Sequence, residues 1–306
     1  MLRYIIRRMF SMILTLFCIS IITFSLMHSI PGGPFTSERS LAPEVEAALN
    51  AKYGLDDPLY VQYFNYMSGV VIHGDFGISF KKMGLSVNQM IEEGFSYSAI
   101  IGVGATFFII FLGIPTGIYA ALHQNKFGDR LLMILATLGV TIPSFVMATG
   151  FLYIFSRQLN WVPSFGASNW KGYIGPIVSI GGFSLAFVTR LTRSSMLEVI
   201  NSDYIKTARA KGLSEVQVIF KHALRNALIP VVTYLGPMMA AIVTGSFVIE
   251  KVFAIPGIGT LFVTYITNRD YTVIMGITIF YSVILIMTVF LVDILYMLID
   301  PRIKYD

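Results

Sequence analysis

The stretch MFSMILTLFCISIITFSLMHSI, residues 9–30, contains no aspartate, glutamate, lysine or arginine. A helix rises about 1.5 Å per residue, so roughly 20 apolar residues are enough to cross the hydrocarbon core of a membrane. Arg3, Arg7 and Arg8 precede the run, as they would in a signal peptide. Because the run is longer than a signal-peptide core and no A-x-A cleavage site follows, we expect a retained first span with a cytoplasmic start.

Similar apolar runs recur along the whole chain, which is 55% hydrophobic and only 13% charged. This composition is far too apolar for an ordinary soluble domain. Each run approaches or exceeds the length of a membrane-spanning helix. The predicted further spans are residues 96–122, 131–156, 172–189, 227–249 and 271–299. We therefore expect an all-α polytopic membrane protein with about six transmembrane helices.

A seventh apolar run, residues 252–268, is shorter and is interrupted by Pro-Gly-Ile-Gly at residues 256–259. Glycine and proline at this depth leave backbone groups without helical partners, which is tolerated only where protein covers them. The run is therefore predicted to be a re-entrant or surface segment.

The distribution of basic residues tests the direction of the spans. A cytoplasmic N-terminus places 14 lysines and arginines inside, in the N-terminal segment, in the loops 123–130 and 190–226, and in the tail from residue 300. The short outer loops carry four. This positive-inside bias predicts that both termini are cytoplasmic, and it explains the net charge of +5 without nucleic-acid binding.

The segment 31–95, which this topology places on the extracytoplasmic side of the membrane, has the start and stop signals of short helices. Pro43 begins a helical pattern that Gly54 ends, Pro58 begins a second one, and residues 86–89 have the S-x-x-Q form of a capping box. We therefore divide the chain into an N-terminal segment with the first span, a folded extracytoplasmic segment and a helical core. Their bounds are 1–30, 31–95 and 96–306.

The cytoplasmic loop 190–226 contains the beginning of YIKTARAKGLSEVQVIFKHALRNALIP, residues 204–230. Ser202 or Asp203 can cap a first helix, and Gly212 can end it in the left-handed conformation. Residues 214–217 form a capping box for a second helix. The second helix is predicted to carry one apolar stripe, formed by Val216, Ile219, Phe220, Ala223 and Ala227.

Small residues surround this turn, namely Ala208, Ala210 and Gly212, so another backbone could approach closely. The pattern is typical of a docking element for a cytoplasmic partner. It is equally typical of an amphipathic hairpin that lies on the lipids of the inner leaflet. Helical spacing alone does not separate the two.

The sequence T-A-R-A-K-G, followed by H-A-L-R-N-A-L-I-P, resembles the E-A-A-x-x-x-G loop of bacterial ABC-importer permeases. Aligned on Gly212, residues 206–208 are Lys-Thr-Ala where that pattern has E-A-A, and Ile229-Pro230 lies five residues beyond the expected position. This variant resembles the oligopeptide and dipeptide branch, closest to the first of two oligopeptide-permease membrane subunits. Other blocks agree in chain order: MLRY at residue 1, PGGPF at 31, HGDFG at 73, PGIG at 256, RDY at 269 and DPR at 300.

The resemblance implies a type I, MetI-like permease of the bacterial cytoplasmic membrane that moves peptides, with oligopeptides favoured, after delivery by an extracytoplasmic peptide-binding protein. It also implies a second, homologous permease as a heterodimer partner and two ATPase subunits beneath. Dipeptides, or nickel and metal chelates, are the alternative substrates. The implied ATPase-coupling residues are Tyr204, Thr207, Ala208, Ala210, Lys211, Gly212, Leu213 and Ser214.

Several chemical functions find no support in the sequence. No Gly-Lys pair occurs, so a Walker A loop is lacking, and ATP with Mg²⁺ is expected on the partner subunits. The histidines have no metal-ligand spacing, and no nucleophile has a base beside it. We expect a non-catalytic chain without a cofactor or metal. A proton-coupled transporter, the rival class, would need buried acids or histidines, or inverted repeats, and neither is evident.

Polar residues within the spans are candidates for the translocation path, although hydroxyl groups in spans serve packing equally well. Asp293 is the one acidic or basic residue inside a predicted span. It is expected to pair with a cation of the tail or a loop, with a gating or relay role as the alternative. The path candidates are Thr106, Thr141, Ser144, Tyr234 and Thr244.

Overall fold

The structure, a computed structural model, describes residues 2–31, 33–35, 43–82, 84–167 and 169–299. Within these residues it is built from helices, which confirms the predicted all-α class. The predicted DPR block at residue 300 and the charged tail lie outside the described residues, as do Met1 and Gly32. The helices are α1 Leu2–Ser29, α2 Pro43–Tyr53, α3 Leu59–Ser68, α4 Val87–Leu122, α5 Phe127–Thr141, α6 Ser144–Gln158, α7 Trp170–Ile200, α8 Asp203–Ala210, α9 Glu215–Ala227, α10 Ile229–Val243, α11 Phe247–Val252, α12 Ile258–Thr267 and α13 Tyr271–Ile299.

The number of spans agrees with the prediction, although two of them are not straight. Four helices, α1, α4, α7 and α13, are long and apolar enough to cross a membrane. Two bent pairs, α5 with α6 and α9 with α10, raise the number to as many as six. The first pair bends by 108°. Proline causes this break, because Pro143 cannot donate a helical hydrogen bond and holds Ile142 in an extended conformation with ψ 122°.

Several helices extend beyond the predicted spans or stop short of them, because apolarity marks the membrane and not the end of a helix. The helix of the second span begins at Val87 and not at residue 96. The helix of the fourth span continues to Ile200, so the first part of the predicted loop 190–226 is helical. The fifth ends at Val243, before the separate helix α11. The interrupted run forms α12, a helix too short to span.

The segment between α1 and α4 has the predicted helices. Gly54 follows α2 with φ +65°, and Pro58 precedes α3, which continues as a π-helical turn over Gly69–His73. Ser86 stands at the N-cap of α4 as predicted, but its side chain makes no capping hydrogen bond. Gln89 instead donates to Glu93 at 2.9 Å. The helix start is therefore confirmed, whereas the predicted capping box is wrong.

Helix α7 lies at the centre of the bundle, packed against α4, α5, α6 and α10. The first and last helices, α1 and α13, pack against one another. An ion pair of 2.7 Å joins Arg8 of α1 to Asp293 of α13. The prediction that Asp293 pairs with a cation is confirmed, but the cation belongs to the first helix and not to the tail or a loop.

Candidate functional site

A helical hairpin formed by α8 and α9 contains the predicted coupling residues. Gly212 occupies the turn with φ +77°, a conformation that costs other residues backbone strain. Ser214 accepts a hydrogen bond from the Gln217 backbone, and the Gln217 side chain accepts one from the Ser214 backbone, both at 3.4 Å. The predicted turn and capping box are thus confirmed. Ser202 precedes α8, but its hydroxyl donates to Val199 and does not cap the helix.

The underside of the hairpin rests on the ends of α4 and α7. Ala208 belongs to this buried cluster, so it is covered by its own chain. Thr207, Ala210 and Gly212 lie on the opposite, exposed side. The cluster consists of Ile205, Ala208, Val218, Ala223 and Ala227 from the hairpin, Ala121 from α4 and Met196 from α7.

The predicted apolar stripe on α9 is only partly correct. Ile219, Ala223 and Ala227 share the buried cluster, but Val216 and Phe220 are 66% and 62% exposed. Val218, which the prediction did not include, is fully buried. The cause is a π-helical turn over Val218–Ala223, which inserts one extra residue into a helical turn and rotates the following residues. Buried positions therefore follow a spacing of five residues and then four, and the 3.6-residue pattern does not apply.

The turn thus presents an apolar surface away from the bundle. Leu213, Val216 and Phe220 are exposed there, as is Tyr204. The Tyr204 hydroxyl accepts a hydrogen bond of 2.8 Å from the Asn226 side chain, which ties α8 to the end of α9. Exposed apolar residues grouped with polar ones are typical of protein interaction surfaces.

Charged residues border this surface. Arg209 donates to Glu215 at 2.8 Å across the turn, and Lys206 pairs with Asp203 at 2.8 Å within α8. All four side chains are substantially exposed, so these pairs are screened by water and contribute little to the fold. Lys211, also exposed, adds a further positive charge beside Gly212.

Four of the five path candidates already use their hydroxyl groups in hydrogen bonds within the chain. The hydroxyls of Thr106, Thr141 and Thr244 donate to carbonyls of their own chain three or four residues earlier. Tyr234 donates to Ser184 of α7 at 3.4 Å. Ser144 is half-buried in the first turn of α6. Intrahelical bonds of this kind satisfy a hydroxyl in a span without a ligand.

One buried carboxylate that the sequence analysis missed belongs to Glu250, which is 1% exposed. It accepts hydrogen bonds from the Ser98 hydroxyl of α4 at 2.7 Å and from the backbone of Thr260 at 2.8 Å. It therefore joins α4 to the first turn of α12, where the helix dipole favours a negative charge. A Cβ on Gly257 would overlap this carboxylate, so glycine is required there.

Asp270, which is fully buried, makes a comparable connection. It accepts from the Ser79 hydroxyl at 2.5 Å and from the backbones of Phe80 and Lys81, both at 3.2 Å. The segment after α3 is thereby attached to the start of α13. The sequence signal was weak, because Glu250 and Asp270 each lie one residue outside an apolar run and resemble loop residues.

A third buried carboxylate, Asp129, forms a bidentate ion pair with Arg193, with distances of 2.6 and 2.7 Å. The backbone of Asn125 also donates to it at 2.8 Å. This pair joins the start of α5 to α7. Within the described residues, no three histidine, cysteine, aspartate or glutamate side chains are grouped to hold a metal ion.

Long apolar helices with a glycine-turned hairpin exposed at one end define a polytopic membrane protein of the permease class. The family of binding-protein-dependent transport system inner membrane components matches residues 113–305, and the N-terminal region of such membrane components matches residues 1–92. The chain belongs to this family, in the branch of the dipeptide and oligopeptide permeases.

Two relatives are similar over almost the whole chain. The dipeptide transport system permease protein DppB of Bacillus subtilis is 49% identical, over 99% of this chain and 98% of the relative. The oligopeptide transport system permease protein OppB of Escherichia coli strain K12 is 45% identical over 100% of both. The fold is similar to that of the MetNI methionine ABC transporter in an inward-facing conformation, with a TM-score of 0.58 and 18% identity over 70% of this chain and 97% of that one.

Proposed function

We propose that this chain is a permease subunit of an ATP-driven importer that moves peptides across the bacterial cytoplasmic membrane. The observation that carries the proposal is the end-to-end similarity to peptide permeases. Oligopeptides are the favoured substrates, and dipeptides, nickel or metal chelates are the alternatives. The relatives named for dipeptides and for oligopeptides are nearly equally similar, which supports peptides as the class but not a particular length.

The proposed assembly contains a second, homologous permease, two ATPases that hold ATP and Mg²⁺, and an extracytoplasmic peptide-binding protein. This chain then performs no covalent chemistry and carries no cofactor. The surface of Leu213, Val216 and Phe220 supports the α8–α9 hairpin as the ATPase contact, since these large apolar side chains remain exposed among the residues that the structure describes. Of the coupling residues named from the sequence, Ala208 is buried under the hairpin and supports it by packing. The residues that remain for contact with the ATPase are Tyr204, Thr207, Ala210, Lys211, Gly212, Leu213 and Ser214.

The functional test is peptide uptake by proteoliposomes that contain the two permeases and two ATPases, with the binding protein added on one side. We expect uptake of labelled peptides that requires ATP, the ATPases and the binding protein, and that persists when ionophores collapse the proton gradient. Peptides of two to five residues and a nickel chelate, compared in one assay, identify the substrate. Uptake that follows the proton gradient without ATP would establish the secondary-transporter alternative.

The proposed orientation places both termini and the hairpin in the cytoplasm. In a Cys18→Ala background, Glu44→Cys on α2 and Lys211→Cys on the hairpin place one thiol at each end of the bundle, and both positions are exposed. An impermeant thiol reagent should label Glu44→Cys in intact cells, or in spheroplasts where an outer membrane intervenes. Lys211→Cys should react only after permeabilisation. The opposite labelling pattern would mean that the hairpin lies outside the cytoplasm and that the proposed orientation is wrong.

We also propose that peptide selectivity resides mainly in the binding protein. A tight peptide site in the membrane would need buried charges to meet the peptide termini. The buried carboxylates of Glu250, Asp270 and Asp129 are instead occupied by hydrogen bonds within the chain. We expect no saturable peptide binding tighter than roughly 0.1 mM, or about −5.5 kcal/mol, in the membrane complex alone. Micromolar binding there would contradict this.

A further inference from the structure

The segment 59–73, which comprises α3 and its π-helical turn, has an unusual distribution of polarity for a region between spans. It contains no aspartate, glutamate, lysine or arginine. Its exposed face carries large apolar side chains, namely Tyr60, Phe64, Val71 and Ile72. A helix in water would bury such residues and expose polar ones.

Two polar side chains of this helix, Gln62 and Ser68, form hydrogen bonds within the chain. Gln62, half-buried, donates to the carbonyls of Leu55 at 3.0 Å and Asp57 at 2.8 Å. Ser68 is exposed, but its hydroxyl donates to the Asn65 carbonyl in the same helix. Asn65 is exposed and borders a cavity of about 240 Å³ beside α1 and α13. Gln62 and Ser68 thus need little from water.

The contacts of α3 with α1 indicate how far α3 lies below the membrane surface. The hydroxyls of Tyr63 and Ser20 lie 2.8 Å apart, and the rings of Tyr63 and Phe24 are 5.4 Å apart. Ser20 lies nine residues before Ser29, the last residue of α1, which is about 13 Å along the helix. Because one leaflet contributes only about 15 Å of hydrocarbon, Tyr63 reaches well below the membrane surface.

The contacts with α13 also lie below the start of that helix. Tyr66, Met67 and Val70 pack against a cluster that includes Met27 of α1 and Tyr271 and Met275 of α13. Tyr66 and Met275 line the same cavity, and Met275 lies four residues, or about 6 Å, inside the first residue of α13. Both spanning helices therefore place α3 below their ends, at the level of the hydrocarbon.

We propose that the segment 59–73 lies within the membrane, in the leaflet where α1 ends, with Tyr60, Phe64, Val71 and Ile72 in contact with phospholipid acyl chains. In the orientation proposed above this is the outer leaflet. Charged residues flank the segment on both sides, at Asp56 and Asp57 before it and Asp75 after it, and mark where the chain returns to water. The depth assignment does not depend on which face of the membrane is outside.

Tryptophan fluorescence in nanodiscs tests the proposal. The two native tryptophans are removed by Trp161→Phe and Trp170→Phe, and a single probe is introduced by Phe64→Trp or Ile72→Trp. Val45→Trp is the matched control, since Val45 is exposed on α2 between the charged residues Glu44 and Lys52. Lipids brominated on their acyl chains should quench both probes about threefold more strongly than the control, because quenching requires contact with bromine in the hydrocarbon.

The measurement is made on the chain alone and on the complex with the second permease and the ATPases. Quenching no stronger than in the Val45→Trp control would overturn the proposal. So would quenching that disappears on assembly, because protein and not lipid would then cover the face. As a second readout, Phe64→Cys and Val45→Cys in the Cys18→Ala background should differ about tenfold in reaction rate with an impermeant maleimide, Val45→Cys being faster, since thiolate forms poorly in hydrocarbon. Equal rates would also overturn it.

Discussion

The α8–α9 hairpin and the region 250–270 use charged residues in opposite ways. In the hairpin, Arg209 and Glu215 pair at the surface, and the fold rests on a buried apolar underside and a capping box. In the other region, Glu250 and Asp270 are buried and accept hydrogen bonds from distant segments. The exposed charges of the hairpin can therefore be replaced with little loss of stability, whereas the buried charges of the region 250–270 hold distant segments together.

The energies of the two arrangements differ accordingly. An exposed ion pair contributes about 0.2–1 kcal/mol at most, because water competes for both partners. Removal of a buried carboxylate leaves its donors without partners, at a cost of about 1–3 kcal/mol for each affected group. The comparison can be tested with substitutions on both sides.

The largest effect is expected for Glu250→Ala, which deprives the Ser98 hydroxyl and the Thr260 backbone of their acceptor. We expect the free energy of unfolding to fall by about 2–4 kcal/mol, measured by thermal or denaturant unfolding in detergent. Glu250→Gln keeps the volume of the side chain and one acceptor oxygen, so its free energy of unfolding should lie between those of the wild type and Glu250→Ala. Glu215→Ala on the hairpin is the control, and a loss as large as that of Glu250→Ala would remove the distinction between the regions.

A smaller and more local effect is expected for Asp270→Asn. The amide keeps one oxygen, but its NH₂ group faces donors at Ser79, Phe80 and Lys81. We expect a loss of about 1–3 kcal/mol and faster hydrogen exchange at the amides of Phe80 and Lys81. Asp203→Asn, at an exposed site on α8, is the control and should leave hydrogen exchange at the amides of Phe80 and Lys81 unchanged. Protection of residues 80 and 81 that survives in Asp270→Asn would show that other contacts hold this segment.

Two substitutions at Gly212 distinguish the cost of backbone strain in the hairpin from the loss of contact with a partner. Among the described residues, no atom outside the adjacent positions lies within 4 Å of a Cβ built there, so Gly212→Ala costs only the strain of the left-handed conformation, about 1 kcal/mol. Gly212 is exposed, so the longer side chain of Gly212→Arg can extend into solvent. In the proposed complex, Gly212→Arg should also block ATPase contact and abolish uptake, while Gly212→Ala retains most of it. Co-purification with the ATPases is the measurement. Equal co-purification of both variants with wild type would place docking elsewhere.

The smallest effect is expected for Arg209→Ala. Loss of its pair with Glu215 should change the free energy of unfolding by less than about 1 kcal/mol, and a double-mutant cycle with Glu215→Ala should give a coupling energy of about 0.2–1 kcal/mol that falls with added salt. A coupling energy above about 2 kcal/mol would mean that the exposed hairpin also depends on its charges.

Local signals predicted much of the hairpin, because its features depend on residues a few positions apart. The turn at Gly212 and the box at Ser214 and Gln217 require only local geometry, and both were predicted correctly. The apolar stripe was predicted only in part, since residue spacing does not reveal the π-helical turn over Val218–Ala223, which separates the face of Val216 from that of Ala223 and Ala227. The burial of Ala208 likewise depends on α4 and α7, which are remote in the chain.

The sequence by itself determined the membrane environment, the helical class and the number of spans, because the length of an apolar run must match the thickness of the hydrocarbon. Only the tertiary structure decided the partners of isolated charges, such as Arg8 for Asp293 and Ser79 for Asp270, which are 285 and 191 residues apart in the chain. It also decided the 108° angle of the bend at Pro143 and the contact of α3 with α1. A span is specified by its own composition, whereas a buried polar contact is specified by whichever distant segment the packing brings within hydrogen-bond distance.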